Sequence, residues 1–123
     1  MNGLFKGEKM ETLIIRDIIN SNSANIDKKG NLVFQAIKER IEKDQPVILD
    51  FTGIDTLITA FLNLAIGQLY DLRPATELTQ LVKIKRDTVS DSHFQKIALV
   101  LTNSKEKRQE LANLQDEVME DGY

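Results

Sequence analysis

Apolar residues fall along this chain in two rhythms, one of strands and one of helices. Val47, Ile48 and Leu49 form an unbroken apolar run behind Pro46, the pattern of a strand covered on both faces inside an α/β sheet. Beyond a polar stretch, Phe61, Leu62, Leu64, Ala65, Ile66, Leu69 and Leu72 recur at helical spacing, interrupted by Asn63, Gln68 and Asp71. A helix this apolar, over 60–72, has to be covered, and it is expected to pack directly on the central strand. Arg73 and Pro74 end it. Upstream, ETLIIRDII at 11–19 is rich in β-branched residues and reads as a first strand, though periodicity alone does not separate so short a run from a buried helix. NSNSANIDKKGN then forms a loop or an irregular second strand around Ile26. Leu32, Val33, Ala36, Ile37 and Ile41 give a one-sided helix that stops before Pro46, with Asn31 placed to act as its N-cap.

The second half continues the alternation. LVKIKR at 81–86 sets Val82 and Ile84 against Lys83 and Lys85, as in a half-exposed strand whose lysines discourage edge pairing. Ser90 or Asp91 caps a last helix carrying Phe94, Ile97, Ala98 and Leu101 at helical spacing. The pattern then thins to Leu111, Leu114 and Val118, and no Gly or Pro interrupts 75–121, so this C-terminal helix is expected to be long. Strands joined through helices cross over parallel and right-handed, so the fold class is α/β, a small sheet with helices packed on it. The chain divides into an N-terminal extension (1–10), an α/β domain (11–102) and a charged helical tail (103–123).

Composition narrows the class without naming it. A chain of 123 residues builds one core, and 41% apolar with 28% charged residues is the balance of a soluble globular domain. No apolar stretch is long enough for a membrane span, and the first residues are too polar for a secretory signal. The absence of cysteine rules out thiol catalysis and fits a cytoplasmic setting. The net charge of −3 collects after residue 102, which leaves a neutral body with an acidic tail. That distribution offers phosphate backbones no attraction, and no nucleic-acid partner is expected.

Candidate chemistry concentrates in the loop after the central strand, at the carboxyl edge where open α/β sheets place working surfaces. Asp50, Thr52, Asp55, Thr56, Thr59 and Asn63 are its candidate interaction or ligand residues. Asp50 is either presented at that edge or engaged with loop amides to hold the 52–56 turn. Thr59 is expected to cap the following helix. The single histidine, His93, cannot form a metal cluster and reads as a surface residue; the glycines, at 3, 7, 30, 53, 67 and 122, are too scattered for a phosphate cradle. Neither a metal nor a cofactor is expected, and no catalytic constellation is visible. In the tail, Leu111, Leu114 and Val118 are spaced to make a narrow seam on another helix, including that of a second copy.

The segment VILDFTGIDTL followed by AFLNLAIGQLY resembles the STAS-like domain family of unknown function. That family shows an apolar strand ending in Asp-Phe, a small residue and Gly, then a short loop and a helix opening with Phe and carrying Asn or Glu. The likeness runs over residues 30–102. More distantly, the segment is similar to the STAS domains of bacterial anti-sigma-factor antagonists. The resemblance implies a small mixed β-sheet and a non-enzymatic regulatory domain of bacterial or phage signalling. Its partner would be a kinase-like ATPase or another signalling protein. Aligned without gaps, the antagonists' phosphorylated Asp-Ser-Ser-Gly motif falls on Ile58, Thr59, Ala60 and Phe61, so its Asp, Ser and Gly are lost and a phosphorylation switch is not expected. The alternative is a sensor holding a nucleotide or small anion in the loop at 50–63.

Overall fold

Strand β3 (Val47–Asp50) lies between β1 (Glu11–Ile14) and β5 (Val82–Ile84), parallel to both. In register, Leu13 stands beside Leu49, and Leu49 beside Ile84. The computed structural model describes residues 9–120, with side chains to residue 106. The seam side chains Leu111, Leu114 and Val118 and residues 1–8 of the extension thus lie outside the described residues. A second small sheet pairs β2 (Ser23–Ala24) with β4 (Thr56–Leu57), also parallel. Among the described residues every strand pair is therefore parallel. The mixed sheet implied by the resemblance is not present, because each pair is joined through at least one helix.

The helices follow their apolar faces. In α2 (Gly30–Ile41) the buried residues are Gly30, Val33, Ile37 and Ile41, and this helix lies on β3. A 3-10 turn at Asp27–Lys29 feeds straight into it, so Asn31 is already inside the helix and does not cap it; its amide oxygen instead accepts from Gln68 Nε2 at 3.0 Å. The strand expected at 11–19 ends at Ile14, and Ile15–Ile19 form a short helix, α1. Ile15, Ile18 and Ile19 lie one turn apart and pack inward, a helical spacing inside a β-branched run. Asn20, left-handed at φ 55°, closes α1 with its amide on the Arg16 carbonyl. Strand β2 stops two residues before Ile26, whose side chain is exposed.

The helix expected at 60–72 is two pieces: α3 (Thr59–Ala65), then, past Ile66 at φ −124°, a 3-10 turn over Gly67–Asp71. Its apolar surface is covered mainly by α2 and the C-terminal helix, not by β3. Helix α4 (Ala75–Leu81) was not foreseen; it starts behind Pro74, buries Leu78 and Leu81, and runs directly into β5. The last helix, α5 (Asp91–Glu120), is as long as expected. Ser90 caps it, its Oγ accepting the His93 amide at 3.1 Å.

Two contacts lock this arrangement. Arg73 donates to the Ile41 carbonyl at 2.7 Å, to Asp44 at 3.0 Å and to Glu77 at 2.9 Å, tying the end of α2 to the start of α4. At the other end of α2, Gly30 is buried against the backbone of α3. A Cβ there would run into the Phe61 carbonyl, with the Leu64 Cβ at 3.0 Å and the Ala65 nitrogen at 3.1 Å. Gly30→Ala is expected to destabilise the domain by about 1–3 kcal/mol, because backbone on both sides has to move. Thermal denaturation checks this, with exposed Gln35→Ala on the same helix as the control expected to change little.

Candidate functional site

The carboxyl edge of the sheet carries Asp50, and the polar chemistry there is closed on itself. Asp50 Oδ1 accepts the Thr52 amide at 2.8 Å and the Thr52 hydroxyl at 2.5 Å, an Asx-type turn that reverses the chain out of β3. These bonds, the hydroxyl's first, hold the Asp50 carboxyl below its usual pKa despite partial desolvation, with help from the charges of Lys85 and Arg16. Gly53 sits at φ +81°, where a side chain is strained, and a Cβ on it would meet Arg16 Nη1 at 2.6 Å. The Phe51 amide donates to Thr88 Oγ1 at 3.0 Å, and that hydroxyl donates to the Lys85 carbonyl at 2.6 Å, which fastens the end of β5 to β3. Arg16, Lys85 and Thr88 escaped sequence reasoning. Their signal was topological: parallel strands end at one edge, so residues just past β1 and β5 join Asp50.

The other loop residues do not converge on it. Asp55 gives its amide to the Asn22 carbonyl at 2.8 Å, and Thr56 lies in β4 opposite Ser23; both are exposed. Thr59 is the first residue of α3 rather than its cap. Ile58 holds the cap position and no side chain accepts there, since the chain enters α3 directly from β4 and leaves Thr59 already helical. Asn63 is exposed one turn further along the same helix. No polar or charged residue is buried among the described residues, so none of these groups works in an enclosed site.

A concave surface lies elsewhere. A groove of about 460 Å³ opens between β5 and α5, with Val82 and Ile84 on one side and Phe94, Ile97, Ala98 and Leu101 on the other. Leu69 of the 3-10 turn and Leu78 of α4 extend its apolar lining. Polar groups reach it only from Tyr70, Thr79, Lys83 and Arg86. The Arg86 guanidinium stacks on the Phe94 ring at 4.2 Å from its centre, and it donates to the Val89 carbonyl at 2.7 Å and to Asp91 at 2.6 Å. None of the six loop candidates lines this groove.

A parallel three-stranded sheet with helices packed on it, its carboxyl-edge loop folded against its own aspartate, defines a small α/β domain. The chain belongs to the family described as STAS-like domain of unknown function (DUF4325), whose model matches residues 29–92. That span begins one residue before the 30–102 likeness and ends ten residues short of it, before Phe94–Leu101 on the α5 side of the groove. No curated protein and no solved structure matches the chain. No helix among the described residues is long and apolar enough to cross a membrane.

The Asp50 turn has a pH signature. Because its pKa is lower folded than unfolded, the carboxylate adds stability above the unfolded value of about 3.9 and loses it as pH falls through the folded value. Asp50→Asn is expected to melt lower than the parent at neutral pH, with the difference closing below about pH 4. Melting curves across that range test it; a difference independent of pH would assign the loss to shape rather than charge.

Proposed function

We propose that this chain is a non-enzymatic, cytoplasmic regulatory domain of bacterial or phage signalling that acts by binding another protein. The supporting observation is the length of α5. Its 30 residues span about 45 Å at 1.5 Å per residue, yet its described core contacts come from Phe94, Ile97, Val100 and Leu101. Lys105 and Glu106 are exposed, and the sequence beyond retains Leu111, Leu114 and Val118 in an acidic setting. A helix with so few apolar residues gains little by itself, whereas a partner helix completes it. The partner is a kinase-like ATPase or another signalling protein, in keeping with STAS-type relatives, or a second copy. A non-enzymatic role is supported by Asp50, the foremost carboxylate, being engaged by Thr52. The same ionised carboxylate weighs against an anion sensor in the loop at 50–63.

Truncation after Asn103 is expected to leave the melting temperature within a few degrees while abolishing association. Sedimentation of the full and truncated chains reads self-association, and affinity capture with quantified prey reads a foreign partner. Leu114→Glu in the full chain is expected to reproduce the truncation. A truncated chain that unfolds, or one that associates as the full chain does, removes the tail from this role.

A further inference from the structure

We propose that the groove between β5 and α5 is a binding site for a small amphipathic carboxylate, a molecule with an aliphatic body and one anionic head. The inference is independent of any role for the α5 tail. A volume of about 460 Å³ lies within the range of small-molecule sites, which are mostly apolar with a few polar groups that orient the ligand. Here the apolar part comes from Val82 and Ile84 facing Ile97, Ala98 and Leu101, and an aliphatic chain of roughly ten carbons suits a site of this class.

The sign of the head group follows from the lining. Lys83 and Arg86 are its charged residues, and no carboxylate lines the groove. Lys83 is exposed and makes no ion pair among the described residues. Arg86 is held in place by the Phe94 ring and the Val89 carbonyl. Its ion-pair partner Asp91 is 91% exposed, so that pair is weak and an incoming carboxylate competes with it at little cost. Tyr70 adds a donor. Its hydroxyl makes no hydrogen bond among the described residues, and burial raises its pKa, so it keeps its proton at neutral pH. A cation meets only repulsion in this lining, and a neutral chain leaves Lys83 without a counter-charge.

The test uses the full chain and three probes of one chain length: decanoate and decyltrimethylammonium below their micelle concentrations, and decan-1-ol below its solubility limit. Calorimetry and amide chemical-shift mapping are expected to show decanoate saturating one site, with shifts at 82–86 and 94–101. The neutral and cationic probes are expected to bind at least about tenfold more weakly. Ala98→Trp, at an exposed position, should fill the groove and abolish binding. Lys83→Glu should weaken decanoate by about tenfold and improve the cationic probe. Equal affinity for the three probes, shifts away from the groove, undiminished binding to Ala98→Trp, or no saturable binding of decanoate overturns the proposal. Should Ala98→Trp fail to fold, Lys83→Glu and the shift map decide the matter.

Discussion

The structure depends on the position of β3, which is hydrogen-bonded to a parallel strand on each edge and shut from water at Val47 and Leu49, both 0% exposed. Parallel neighbours cannot be joined by a tight turn. Every exit from the sheet must therefore cross over it through a helix before the chain re-enters. That need produces α1 and α2 between β1 and β3, then α3 and α4 between β3 and β5. It also gathers the strand ends at one edge, and so Lys85 and Arg16, far from Asp50 in sequence, help to lower its pKa.

The helices are held to this sheet by close approach as much as by apolar area. Gly30 lets the first turn of α2 meet the backbone of α3, and Arg73 ties the last turn of α2 to α4. The far side of the sheet is less complete. Strand β5 is three residues long and its Val82 and Ile84 are only half-buried, so apolar surface remains between it and α5. The polar edge and the apolar groove therefore differ in kind. At the edge the hydrogen-bonding groups of the turn satisfy one another; in the groove Val82, Ile84, Phe94 and Leu101 stay partly exposed, and Lys83 makes no ion pair among the described residues.

Much of this was legible from the residues. The VIL run identified the central strand, the alternation LVKIK a half-exposed edge strand, and the spacing of Val33, Ile37 and Ile41 the helix that lies on the sheet. A turn role for Asp50 was one of the two readings its place after a buried strand allowed, and the Thr52 bonds select it. Other elements were hidden. IRDII carries β-branched side chains that favour a strand, yet Ile15 and Ile19 turn into the core together as a helix, so tertiary burial overrode local preference. The run at 60–72 is apolar throughout, and nothing in it marks the break at Ile66.

What the sequence determined by itself is the class of fold, the order of its main elements and the family to which the chain belongs, because hydrophobic period and turn chemistry are local properties. Tertiary structure alone decided where the groove between β5 and α5 lies. The groove joins Leu69, Leu78, Ile84 and Ala98 from four separate segments, each of which by itself reads as ordinary core-facing sequence. It likewise decided that Asp50 and Thr52 close on each other while Thr59 and Asn63 face outward. Direction and distance between segments are set by packing, and packing has no local signature in the chain.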